Sequence, residues 1–200
     1  MSALSRPHLW IDKSAKTTTL LLHGTGADEH DLIPLGERLT PNSNLLSPRG
    51  LVNENGMNRF FERTPSGEFV EASVIQAASE MAEFLDAASD EYGFDAGAVV
   101  ACGFSNGANT ALATLIRHPG SLAAVVAFGS TKPLSEKPAN LNSKRVFIAN
   151  GLQDPYAPEP ISEIFEQELR DAGAEVTRFT HPGGHQISAE HVDEISQLLS

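Results

Sequence analysis

Apolar positions along the chain fall into two patterns that alternate. Residues 17–22 (Thr-Thr-Thr-Leu-Leu-Leu) form a short β-branched and apolar run stopping at Gly24, which reads as a buried strand. Leu32, Leu35 and Leu39 then recur at helical spacing, with Pro34 in the first turns and Asp28 placed to cap. Residues 44–47 form a second strand, ended by Pro48. Val74, Ala78, Met81, Leu85 and Ala88 make the apolar face of a long helix that ends before Gly93. Residues 98–102 read as a strand stopped by Gly103, and Ala108, Ala111, Leu112, Leu115 and Ile116 as the stripe of a helix ending at Pro119. Strands follow at 122–128 and 145–149, then a helix through Ile161, Phe165 and Leu169 to Gly173. A strand at 175–180 and a C-terminal helix through Val192, Ile195 and Leu199 complete the series.

Apart from 175–180, which alternates, the strand runs are continuously apolar, as strands covered on both faces must be. Their alternation with helices predicts an α/β fold: one domain over residues 1–200, with a doubly wound, mostly parallel sheet. One stretch breaks the rhythm. Residues 48–70 have no sustained period and contain Asn53, Asn55, Gly56, Asn58, Pro65, Ser66 and Gly67, so a long loop is expected there. Loops of that length in compact domains usually serve function.

Charge and cysteine content narrow the classes. The 200 residues hold 14 Lys and Arg against 26 Asp and Glu, a net charge of −12. Nucleic acid and anionic membrane surfaces are therefore not expected partners, since both recruit clustered cations. A single cysteine excludes a disulfide framework and fits a reducing compartment. No apolar run of signal-peptide or membrane-spanning length occurs, so a cytoplasmic location is expected.

In a doubly wound sheet, ligands bind beyond the C-terminal ends of the strands. The residues there are His23-Gly24-Thr25-Gly26, Gly103-Phe104-Ser105-Asn106-Gly107, Asp154 and His185. Gly103-x-Ser105-x-Gly107, between a strand and a helix, has the context of a nucleophile elbow. A serine hydroxyl needs a base, and the base an orienting acid. Asp154 and His185 follow in the chain order this fold uses, each just past a strand. His181 is the rival base, but it falls at the strand end. The backbone amides of Asn106 and Thr25 are the expected oxyanion donors, with His23 bracing the Thr25 loop. The alternatives fit less well. Gly24-x-Gly26 lacks the third glycine of a dinucleotide motif, because position 29 is Glu, and Arg49 alone does not make a phosphate site. Pro182-Gly183-Gly184 keeps His181 and His185 off a common helical face, so no metal site is expected. Cys102 reads as a core residue.

These residues, together with Ser47-Pro48-Arg49-Gly50 and Asn55-Gly56-Met57-Asn58-Arg59-Phe60-Phe61, resemble the phospholipase/carboxylesterase family of α/β-hydrolases. That family includes the acyl-protein thioesterases. The second set is more similar to its bacterial subgroup of carboxylesterases associated with hydroquinone degradation. The resemblance runs from about residue 17 to residue 199, although eukaryotic thioesterases usually carry Gln where Asn106 stands. It implies a serine esterase with a Ser105–His185–Asp154 triad, no cofactor and a small-molecule ester substrate. Thioester or lactone hydrolysis by the same triad is the alternative, and a non-catalytic binding protein the more distant one. Homo-oligomerisation stays open. The interval 129–144 is too short for a lid domain. Met57, Arg59, Phe60 and Phe61 are expected to wall a shallow pocket that favours short acyl chains.

Overall fold

A computed structural model describes residues 3–200. Met1 and Ser2, which begin the segment read for a leader, lie outside the described residues. In chain order the elements are β1 (His8–Ile11), β2 (Thr18–Leu22), α1 (Ile33–Leu39), β3 (Asn44–Pro48), β4 (Val52–Glu54), β5 (Met57–Arg59) and α2 (Glu71–Tyr92). Then come β6 (Val100–Phe104), α3 (Asn106–Arg117), β7 (Ala124–Phe128), β8 (Arg145–Gly151), α4 (Glu159–Asp171), β9 (Glu175–His181) and α5 (Ala189–Leu199). Seven strands form one sheet in the order β1-β3-β2-β6-β7-β8-β9. Every pairing in it is parallel except β1 with β3.

Successive strand residues point to opposite faces, and in the central strands, between edge strands β1 and β9, both faces are dry. Leu20, Leu22, Ala101, Val125, Ala127, Val146 and Ile148 pack with buried residues of α2, α3 and α4. Leu21, Leu45, Cys102, Val126, Phe128 and Phe147 pack with Leu39 of α1 and with Val192 and Ile195 of α5. This two-sided burial is why the strands read as unbroken apolar runs. Among the described residues no helix is long and apolar enough to cross a membrane.

The structure departs from expectation in four places. Strand β6 lies two residues later than expected. Gly103 pairs with Leu22 and Phe104 with Phe128, so Gly103 continues the strand instead of ending it. Asp28 does not cap α1; Leu32 holds that position, and Asp28 Oδ1 accepts the His30 N–H in the preceding turn. Strand β1 was not expected. It is short and half-buried, and pairing with β3 defines it. The expected loop at 48–70 contains a hairpin, β4–β5, joined by Asn55 and Gly56 at φ 53° and 88°. Asn-Gly is the pair that a two-residue turn with positive φ at both positions selects. That signal was present in the chain, masked by the absence of flanking alternation.

Candidate active site

The elbow is built by steric exclusion. Strand β6 passes into α3 through Ser105, whose backbone sits at φ 53° and ψ −112°. This is a costly region for a residue with a side chain, held only when the surroundings over-determine it. The Ser105 N–H donates to Phe128 O at 2.9 Å, and its carbonyl accepts from the Asn109 backbone N–H at 3.0 Å and from Asn109 Nδ2 at 2.8 Å. Space for the turn depends on two glycines. A Cβ on Gly103 would fall 2.6 Å from Ala108 N, and one on Gly107 would fall 1.9 Å from Leu22 O. Both obstacles are backbone atoms.

Asp154 lies just past β8 and is 5% exposed. Its Oδ1 accepts the Tyr156 N–H at 2.8 Å, and its Oδ2 lies 2.7 Å from His185 Nδ1. The carboxylate therefore assigns the proton to Nδ1, and among the described residues Nε2 of His185 has no hydrogen-bond partner. The His185 ring lies against Phe104 and Tyr156, at centroid distances of 4.8 and 5.0 Å. It also covers Gly129, where a Cβ would come within 2.8 Å of its Cε1. The loop behind it is tied to the loop after β8 by Gln153 N–H to Gly183 O at 3.0 Å. His181, the rival base, is used inside that loop: Nδ1 accepts the Gly183 N–H at 3.1 Å, and Nε2 faces Gln186 O at 3.2 Å.

Ser105 and His185 line a common open cavity of about 1040 Å³, with no hydrogen bond between them. Such contacts commonly tighten only when substrate is seated. Thr25 and Asn106 line the same cavity. Asn106 opens α3, so its amide has no intrahelical acceptor and sits at the positive end of the helix. Asn106 Oδ1 accepts the Phe60 N–H at 2.7 Å, while its buried Nδ2 has no partner among the described residues. Thr25 Oγ1 accepts from Arg59 at 2.6 Å. His23 is buried between two backbone groups. Its Nε2 accepts the Gly50 N–H at 3.0 Å, and Nδ1 lies 2.7 Å from Gly24 O. Burial is the main cause holding its pKa below the ordinary imidazole value.

The four residues expected to wall the pocket separate. Arg59 lines the cavity, whereas Met57, Phe60 and Phe61 do not. Phe60 and Phe61 belong to the core on the α2 side, and Phe61 meets Phe69 edge-on at 4.8 Å. Met57 is exposed and lies along Gly26. Two adjacent aromatic residues buried this deeply anchor a loop; they do not face solvent-filled space. The apolar wall comes instead from Phe69, Leu134, Pro155, Tyr156 and Ile161. Of these, Leu134 lies in the 129–144 strap and Tyr156 two residues past Asp154. Their positions just beyond β7 and β8 were the available clue.

Other chemistry is directed elsewhere. Burial pushes the Cys102 thiol up to about 12. Arg49, considered for a phosphate, forks onto Glu29 at 2.5 and 2.6 Å. Among the described residues, Asp28, Glu29 and His30 hold ligand atoms close enough to share an ion, but none of the three lines the cavity.

The phospholipase/carboxylesterase family model matches residues 11–200. The chain is 36% identical over 189 residues, 94% of each chain, to a Bacillus subtilis (strain 168) protein named "Putative hydrolase MhqD". It is similar to the Bacillus cereus carboxylesterase structure at 38% identity, covering 99% of this chain and 98% of that one, with a TM-score of 0.91. A carboxylesterase from Mesorhizobium loti is similar at 27% identity, covering 98% and 91%, with a TM-score of 0.86. With its elbow, its parallel sheet and a match over nearly its whole length, the chain belongs to the phospholipase/carboxylesterase family of α/β-hydrolases.

Proposed function

We propose that the protein is a serine carboxylesterase acting on small-molecule esters. The observation that carries this reading is the His185 Nδ1–Asp154 Oδ2 contact at 2.7 Å, on a ring that lines the same cavity as Ser105. Ser105 Oγ attacks the ester carbonyl while His185 Nε2 takes the hydroxyl proton. The carbonyl π pair moves onto oxygen, where the amides of Thr25 and Asn106 receive the negative charge. The carbonyl re-forms, the bond to the alkoxy group breaks, and His185 returns the proton to the departing alcohol. Water repeats the sequence on the acyl-serine. Asp154 keeps the imidazole in the reactive tautomer and stabilises its cation.

The cavity walls alter the expected substrate. With Phe60 and Phe61 in the core, the basis for a shallow short-chain pocket is removed. The Phe69, Leu134 and Ile161 walls offer apolar surface beyond the reacting centre. Each acyl methylene buried there is worth up to ~0.8 kcal/mol, close to fourfold in kcat/KM. The reading is tested with a fluorophosphonate and a series of nitrophenyl esters. Labelling should fall on Ser105 alone, and Ser105→Ala should lower kcat by about 10⁴-fold or more with the fold intact. Undiminished hydrolysis by Ser105→Ala overturns the mechanism.

A further inference from the structure

Three consecutive residues at the end of the β4–β5 hairpin reach both arms of the oxyanion site. The Gly26 N–H donates to Asn58 O, and Asn58 Nδ2 donates to Ala27 O, each at 2.9 Å. Arg59 Nη1 donates to Thr25 Oγ1 at 2.6 Å. The Phe60 N–H donates to Asn106 Oδ1 at 2.7 Å. Residues 58–60 therefore hold the loop that carries one amide and the residue that carries the other.

Arg59 is the central link. It is 2% exposed, its Nε donates to Phe61 O at 3.0 Å, and its guanidinium lies 5.5 Å from the Phe61 ring centre. Its carboxylate neighbour, Glu54, is 3.6 Å away and is engaged more closely by Arg63 at 2.7 Å. One carboxylate thus serves two guanidinium groups. Burial, followed by the charge of Arg63, lowers the Arg59 pKa to about 10, with Glu54 opposing. The group stays cationic at neutral pH. A hydrogen bond from such a cation is shorter and stronger than a neutral one, and a planar guanidinium pinned at Nε has little freedom to re-aim.

We propose that Arg59 is a positioning residue for acyl transfer: through Thr25 Oγ1 it keeps the Thr25 amide aimed at the forming oxyanion. The proposal rests on the serine-esterase reading. The same arginine would serve a different purpose if it bound a carboxylate carried by the substrate, and Arg63 and Lys132 on the cavity wall would assist it there. Asp31, Glu68 and Glu71 line that wall too, which disfavours an anionic substrate.

The experiment measures kcat and KM for the wild type, Arg59→Met, Arg59→Lys, Thr25→Val and the Arg59→Met/Thr25→Val double variant. The substrates are nitrophenyl butyrate and nitrophenyl hemisuccinate, which share a leaving group and differ in acyl charge. Wild-type turnover and serine labelling are established first, so failure of the esterase reading shows there and not in the variants. Arg59→Met should lower kcat on both esters by about 10–100-fold, the scale of a misplaced catalytic group, with KM within about threefold. Thr25→Val, which keeps the amide and deletes Oγ1, should reproduce that loss. The double variant should be no worse than the poorer single, because both remove one contact. Arg59→Lys should lose less than Arg59→Met. Losses that multiply in the double variant would overturn the proposal, as would an effect confined to KM for the hemisuccinate. If Arg59→Met fails to fold, Thr25→Val decides alone, and wild-type kcat in that variant rejects the role.

Discussion

The elbow and the hairpin meet at the proposed oxyanion site, yet they are constructed in opposite ways. At the elbow, geometry is imposed by what is missing. Gly103 and Gly107 leave room for backbone to pass backbone, and Ser105 takes a positive φ because the strand before it and the helix after it allow nothing else. At the hairpin, geometry is imposed by what is added. Asn58, Arg59 and Phe60 reach the site through four hydrogen bonds, anchored by two buried phenylalanines. A sterically defined turn has no softer alternative. A hydrogen-bonded clamp can loosen by steps and tune a site without dismantling it.

The sharpest way to break this contrast is at the elbow. In Gly107→Ala the new methyl would meet Leu22 O, part of a central strand that cannot yield. The expected result is loss of more than about 4 kcal/mol of stability, or no folded protein, which denaturant unfolding would report. A stable, active Gly107→Ala variant would show that the elbow is softer than its contacts indicate.

At the hairpin, Phe61→Ala should cost about 3–4 kcal/mol through the cavity left in the core. Because Phe61 does not line the substrate cavity, the ranking of esters by acyl length should be unchanged in whatever protein remains folded. A changed ranking would return Phe61 to the pocket wall.

The smallest effect lies at the joint between the two regions. His23 braces the loop that carries Thr25 against Gly50, which in turn packs on the backbone of Arg59. The neutral ring accepts the Gly50 N–H, and burial lowers its pKa in the fold. As pH falls the unfolded chain takes up the proton first. The His23 contribution is therefore complete above about pH 6.5 and is lost below it. One proton bounds the slope at about 1.4 kcal/mol per pH unit. Unfolding midpoints of the wild type and His23→Asn, compared from pH 7.5 to 5.5, should show the shallower decline in the variant.

Much of this protein was legible in its residues alone. Strands β2, β3, β7 and β8 announce themselves as apolar runs through two-sided burial, edge strand β9 by alternation, and all five helices by their helical spacing. The positions of Ser105, Asp154 and His185 are likewise legible locally: each lies within four residues of a strand end, and Gly103 and Gly107 flank Ser105 at the tight turn from strand to helix. The sequence also determined that Cys102 is core, since it lies in an apolar strand. Tertiary structure alone decided the rest. Strand β1 exists because β3 offers it an edge. Residues 48–70 carry no sustained period because a short hairpin and contacts to the Thr25 loop and Asn106, not one repeating buried face, set their places. Arg59 is held against Thr25, Phe60 against Asn106, and Phe61 in the core beside Phe69. An arginine or phenylalanine in a loop has the same local signature whether it faces a substrate or anchors a clamp. Contact with Thr25 and Asn106, 34 and 46 positions away, makes the difference for Arg59 and Phe60, and periodicity cannot encode it.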